Sequence, residues 1–369
     1  MAIGSFIPFI ILLCVVVIVH ELGHLIAARA NKVFCEIFSI GFGPTLLERT
    51  DKSGTKWRLS LLPLGGYVKM FGDADASSVK ETIPEGYTEE DMDRMSAHRK
   101  KPWQRLIISA GGPFANFIFA ILILFSLSVI NGTPEYGNAI TVAGENSLAY
   151  ASGLRDGDAI LKANGYKIDN FGTFRKQIVD SYGKELKLEV KRGEQIYRVN
   201  INMFENKDGE IVPIKMLGVA PKEFHYRKLG VFESLASSVA TVYNMTAENI
   251  CSMLKIATGK MSAKNVGGVI SIFKMSSDSA QNGFISFIVM IAVISTVLGA
   301  INLLPIPVLD GGTVVICAIE WIIGRPLNKK FVEVIFTAGL IFVAGLMALG
   351  VWNDLSNCKF FVWLENLFK

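Results

Sequence analysis

At 369 residues the chain could hold two or three ordinary domains. Hydrophobic residues make up 51% of it and the mean hydropathy is +0.40, too apolar for a soluble enzyme and pointing to several membrane spans. The net charge of +4 comes with no basic block, which argues against a nucleic-acid partner. The cysteines lack C-x-x-C spacing, which argues against a disulfide framework or a thiolate metal site.

The first predicted element is an apolar block from about Ile3 to Ala28, long enough to cross a bilayer. It has no positive residues ahead of it and no A-x-A-like site after it, so it is expected to be retained as a span. Within it stands His20-Glu21-Leu22-Gly23-His24. Two histidines four apart share one face of a helix and can grip one Zn²⁺ through imidazole nitrogen. Glu21 lies beside them, where it can take a proton from water activated at the metal. The alternative is a pair of helix-end histidines with no metal. Ionisable residues at membrane depth are costly, which favours the functional reading.

The mixed-charge run from Glu81 to Arg105 reads as a solvated loop, and Leu106 to Ile130 reads as the second span. The loop between the two spans carries Arg29, Lys32, Arg49 and Lys52, then Arg94, Arg99, Lys100, Lys101 and Arg105. No Lys or Arg occurs from Asn131 to Tyr150. The positive-inside rule therefore puts this loop in the cytoplasm, and with it the later loop bearing Arg325, Lys329 and Lys330. Both termini and residues 131–283 are then expected outside, with His24 toward the cytoplasmic end of its span.

The outer segment has a globular pattern. Ala159 to Gly165 reads as a strand between turns, residues 171–182 as a helix, and Leu186, Leu188 and Val190 alternate with polar residues. Arg192-Gly193 turns the chain, and Tyr197, Val199 and Ile201 alternate again, as a hairpin with one buried face would require. This order resembles an α+β PDZ domain over residues 134–222, with Gly153-Leu154 near the peptide-accepting loop. Such domains add an extended chain to a sheet edge; a purely structural spacer is the alternative. Residues 223–283 read as an amphipathic helical linker, in which Phe232, Leu235, Val239, Val242 and Tyr243 form an apolar stripe. Lipid contact and core packing both suit that stripe.

A third apolar block runs from Phe284 to Ile323, too long for one straight span, and Phe331 to Trp352 is the fourth. Pro305 and Pro307 precede Leu309-Asp310-Gly311 in the third block, so a kinked or unwound stretch is expected there. Asp310 is the best candidate for a third metal ligand, because an acid in an apolar block is costly unless paired or metal-bound. His98 and His225 lie in polar segments on opposite sides of the membrane and are poorer choices. A structural Asp310 capping the helix that follows is the alternative.

His20-Glu-Leu-Gly-His24 together with Asn302-Leu-Leu-Pro-Ile-Pro-Val-Leu-Asp310-Gly311 resembles the site-2 protease family of intramembrane zinc metalloproteases. Gly111-Gly-Pro-Phe-Ala-Asn116, the run Leu62 to Met70 and the PDZ-like segment are similar to its bacterial RseP-like branch. The resemblance covers nearly the whole chain. It implies a polytopic α-helical membrane protein of about four transmembrane helices in the bacterial inner membrane. Residues 1–130 would carry spans one and two, residues 284–369 spans three and four, with an inserted extracytoplasmic PDZ domain and a membrane-associated β-loop. It also implies one Zn²⁺ per chain on His20, His24 and Asp310, with Glu21 catalytic. Asn302 would contact the substrate backbone, and Gly65, Gly66 and Tyr67 would lie in the β-loop that presents an edge to an unwound substrate. The implied substrates are single-span membrane proteins, such as anti-sigma factors after a first cut and remnant signal peptides. Two departures stand out: one PDZ-like segment instead of the tandem pair of the best-known enterobacterial members, and Gly267-Gly268-Val269 where many relatives have Gly-Pro-Val.

Two other classes compete. A transporter also uses intramembrane acids and broken helices, but it has no need of Glu21 directly after a ligand histidine, and the chain halves show no internal repeat. A non-catalytic scaffold would be expected to have lost Glu21 or Asp310, and both are present.

Overall fold

Residues 6–73, 82–83, 86–145, 147–207, 210–214, 216–258 and 268–356 are described by a computed structural model. An apolar run with no proline after Pro8 gives α1 (Phe6–Ala30), a helix of 25 residues. At the usual rise this is about 37 Å long, enough to cross the hydrocarbon core. A hairpin follows, β1 (Cys35–Thr50) and β2 (Lys56–Met70), then the short α2 (Glu89–Met95) and the long α3 (Pro102–Asn131). Next come β3 (Thr133–Tyr136), β4 (Ile140–Val142), α4 (Leu148–Ala151), β5 (Ala159–Ala163), β6 (Tyr166–Lys167) and α5 (Phe171–Asp180). The strands continue with β7 (Glu185–Arg192), β8 (Gln195–Asn202), β9 (Phe204–Lys207), β10 (Glu210–Pro213), β11 (Val219–Pro221) and β12 (Phe224–Arg227). The chain closes with α6 (Val231–Ala257), α7 (Val269–Gln281), α8 (Phe284–Asn302), α9 (Asp310–Ile323) and α10 (Lys329–Ser356). Two compact units result, residues 127–234 and the remainder.

The smaller unit is α+β. Its four-stranded sheet has the order β6-β5-β7-β8, and the β7–β8 hairpin pairs Leu186 with Ile201 and Leu188 with Val199. Leu186, Leu188, Val190 and Ile201 are buried with Phe174 and Ile178 of α5, as the alternation predicts. Tyr197 is the exception. It stays half-exposed on the outer strand, with the Arg192 guanidinium 5.1 Å from its ring centre. β12 pairs with β3, Phe224 opposite Tyr136, so residues 224–227 are strand rather than part of a helical linker.

In the larger unit, α1, α3, α8 and residues 330–354 of α10 have the length and hydropathy to cross a bilayer, the make-up of a membrane protein. The third apolar block divides as its prolines require: α8 stops at Asn302 and α9 begins at Asp310. The second half of the predicted linker is α7, which packs on α1 through the Phe273 ring, 4.8 Å from that of Phe6 and 5.6 Å from that of Phe9. Asp354, near the end of α10, accepts hydrogen bonds from the N–H groups of Gly268, Ile270 and Ser271 at 2.9–3.2 Å and so caps α7. This accounts for the glycine in place of proline at 268: its N–H is used, and an added Cβ would stand 2.7 Å from the Gly350 carbonyl. Gly267 lies outside the described residues.

Candidate metal centre

His20 and His24 sit one turn apart on α1 with their Nε2 atoms 3.2 Å apart and their rings nearly perpendicular. Asp310 opens α9. Its Oδ2 lies 3.1 Å from His20 Nε2 and its Oδ1 3.4 Å from His24 Nε2. Among the described residues these three are the group able to hold a metal ion, with ligand atoms all within 4.8 Å of one another. His98 lines the same cavity but bonds Asp73 Oδ1 at 2.9 Å, and His225 lies beside Glu135 on the β3–β12 ribbon. Neither joins the triad.

Glycines let the helices meet there. Gly23 of α1 and Gly111 of α3 face each other, and a Cβ on Gly111 would stand 2.7 Å from the Gly23 carbonyl oxygen. A Cβ on Gly112 would lie 2.7–2.8 Å from atoms of the His20 ring and closer still to His24 Nε2, so the imidazoles occupy the space a side chain would take. On the other side, the segment between α8 and α9 folds back under its own helix. Gly311 and Gly312 press on the carbonyls of Leu303, Leu304 and Ile306, and Gly339 of α10 packs on Pro307. Val308 holds φ at +85°, a conformation costly for a β-branched residue, directly before the turn that delivers Asp310. The N-cap of α9 is Leu309 and makes no side-chain capping bond; the Asp310 carboxylate is turned to the histidines instead.

The donor set suits zinc. His24 Nδ1–H donates to the Ile108 carbonyl at 2.9 Å, which leaves Nε2 with a free lone pair aimed at the cluster. Two imidazole nitrogens and one carboxylate make a three-ligand set, and the remaining side opens on a cavity of about 360 Å³. Catalytic zinc sites have this composition, with room for water and substrate at the fourth position.

The hairpin lies over the centre. β1 pairs with two stretches of β2, so that Ile40 is opposite both Gly66 and Leu59. Phe38, Val68 and Met70 are packed with Leu25 and Ala28 of α1, and Arg29 ties the hairpin turn to the end of α1 through Asp51 at 2.5 Å. That guanidinium, with the Trp57 indole N–H, holds the Asp51 carboxyl well below the usual carboxylate range. Val68 and Glu21 line the cavity together. A Cβ on Gly66 would stand 2.7 Å from the Ser39 carbonyl and 3.4 Å from Glu21 Cγ. Gly65 has φ +143° under the Phe42 ring, and Tyr67 stacks on that ring at 6.0 Å. Gly66 and Tyr67 line the same cavity as the triad. Asn302, the last residue of α8, brings its amide nitrogen within 3.4 Å of His20 Nε2.

The motif spacing pointed to the ligands but not to Gly112 or Val68. The Gly-Gly-Pro run in α3 was the available signal, since glycine is unfavourable inside a helix and needs a packing reason.

Comparison with known proteins identifies the family. The model of peptidase family M50 matches residues 8–346. A protein of Agrobacterium fabrum provisionally named a zinc metalloprotease is 34% identical, the match covering 96% of each chain. Similarly named proteins of Rickettsia conorii and Campylobacter jejuni are 33% and 34% identical, over 96% of this chain and 99% and 94% of theirs.

Proposed function

The chain belongs to peptidase family M50 and is a zinc metalloprotease, and we propose that it cuts peptide bonds within or near the spanning segment of single-span membrane proteins. The observation that carries this reading is where the site's residues stand: His20 and His24 of the triad, with Glu21 beside them, lie on a helix long and apolar enough to cross a bilayer. A site there is reached by a substrate in the membrane.

His20, His24 and Asp310 hold the ion. When bound, Zn²⁺ supplies Lewis-acid polarisation and acidifies water near neutral pH. Glu21, which lines the cavity, accepts a proton from the attacking water on its carboxylate and returns it to the leaving amine. Asn302 donates its amide N–H to the scissile carbonyl oxygen, where negative charge develops; its nearness to His20 Nε2 supports that role. The substrate lies along the outer edge of β2. Alternate residues of a strand direct their N–H groups to one side, so Gly66, Val68 and Met70 share that edge. Asp73 takes the N–H of Met70, so strand addition falls on the stretch from Gly65 to Tyr67, with Gly66 turning its backbone groups to the substrate.

The RseP-like branch, the bacterial inner membrane and the extracytoplasmic side for both termini and residues 131–283 are part of the same proposal, supported by the loop charges. The unit at 127–234 is taken as a single PDZ domain on its β7–β8 hairpin and α5. Anti-sigma-factor-like proteins and signal-peptide remnants are the substrate class.

Zinc content of purified His20→Ala, His24→Ala and Asp310→Ala proteins, measured after mild chelation, tests the ligand set. Each is expected to lose zinc, since too few donors remain. Full occupancy in the Asp310 variant would assign the third ligand elsewhere.

A further inference from the structure

Asn116 lies on α3 one turn after Gly112, on the face turned to His20, and is fully buried. Its backbone carbonyl accepts a hydrogen bond from the buried Ser295 hydroxyl of α8 at 2.9 Å, so the residue is fixed between two helices. Its side-chain Nδ2 stands 3.2 Å from His20 Nδ1, while its Oδ1 is buried with no partner. A buried amide oxygen without a partner is costly, and an asparagine's O and N can exchange by a half-turn of the amide.

His20 decides which way the amide should face. With Nδ2–H donating to Nδ1, the ring proton sits on Nε2, which then donates to Asp310 Oδ2. A zinc ligand needs the Nε2 lone pair, so the proton must move to Nδ1 and requires an acceptor there. Turning the amide places Oδ1 at that point. Each orientation makes one bond to His20 and leaves one amide group unpaired, so the proton on the ring selects between them.

We infer that Asn116 is a positioning residue for the zinc ligand His20: with zinc bound, its Oδ1 accepts a hydrogen bond from His20 Nδ1–H, fixing the ring's tautomer and its angle. The Ile108 carbonyl does the same for His24, so each imidazole has its own outer acceptor. The inference rests on His20 being a ligand.

The test is zinc affinity, measured by chelator competition on the purified full chain, with the visible spectrum of the Co²⁺-substituted protein as a second readout. Asn116→Leu removes the acceptor at similar volume and is expected to weaken zinc by roughly 10- to 100-fold and alter the Co²⁺ bands. Asn116→Asp keeps an oxygen at that point and is expected to bind zinc with near-wild-type affinity and wild-type-like bands. Undiminished affinity in Asn116→Leu overturns the inference, and so does equal loss in both variants, which would mark a structural role. Should the Leu variant not fold, Asn116→Ala takes its place against the same Asp variant. His20→Ala separates the two levels: retained zinc there refutes the ligand assignment itself, whereas lost zinc there with normal affinity in Asn116→Leu refutes only the role of Asn116.

Discussion

Gly112→Ala adds one methyl group at the point where α3 passes the two imidazoles. In an ordinary helix this exchange stabilises by about 1 kcal/mol, because glycine is the poorer helix former. At this site the new Cβ would stand 2.7 Å from His20 Cε1 and 2.8 Å from His20 Nε2. Non-bonded heavy atoms prefer about 3.5 Å, so the His20 ring must retreat by roughly 0.8 Å and the His24 ring, whose Nε2 is closer still, by more. Metal–ligand distances tolerate only about 0.2 Å, and overpacking of this kind costs about 1–3 kcal/mol, more than the gain in helix propensity. The expected outcome is a protein that folds with stability equal to wild type or lower by up to about 2 kcal/mol, and binds zinc at least tenfold more weakly. Chelator competition and denaturant unfolding in detergent measure the two quantities. Gly345→Ala is the control, since its Cβ meets nothing within 4 Å and its effect should be confined to helix propensity. Normal zinc affinity in Gly112→Ala, with the same stability gain as Gly345→Ala, would refute the claim that the imidazoles fill that space.

Other outcomes follow from the same geometry. Glu21→Gln should retain zinc while turnover falls by about 10²–10⁴, because the amide cannot accept the proton; metal content and cleavage measured on one sample decide it. Asn302→Leu should also retain zinc and lower kcat more than it raises KM, by about 10²–10³ as for other lost oxyanion donors. Because the Asp51 carboxyl is held below its ordinary value, its contribution is present above pH ~4 and is lost as pH falls through the lower folded-state value. The acid-side decline in stability should therefore be shallower in Asp51→Asn than in wild type when unfolding is followed from pH 5 downward. Burial pushes the Cys35 thiol up to about 12, while Cys251 is exposed, so mass spectrometry after mild alkylation at neutral pH should find Cys251 modified and Cys35 intact.

What could be read in advance depended on whether the signal was local. His20 and His24 are four apart on a helix, so their common face follows from helix geometry alone. Asp310 was legible because an acid in an apolar block has few stable roles, but its approach to His20 depends on the fold-back between α8 and α9, which no local pattern encodes. The same applies to β1, whose Ile40 faces two separate stretches of β2. The resemblance places Gly66 in a loop that presents an edge to the substrate; in the structure its missing side chain first of all leaves room for Ser39 and Glu21. Asn116 carries no periodic or charge signal, and its buried amide acquires meaning only beside His20. The β12 strand was hidden within a stretch read as linker, because its partner β3 lies some ninety residues earlier.

A zinc site carried on a bilayer-crossing helix should cut substrates at membrane depth. The direct measurement is to reconstitute the purified enzyme in liposomes with a single-span substrate and to map the new termini by mass spectrometry, with and without a zinc chelator. A cut inside or at the edge of the spanning segment, abolished by chelation and in Glu21→Gln, is the predicted result. A cut confined to the soluble part of the substrate, or one that persists in the Glu21 variant, would contradict it.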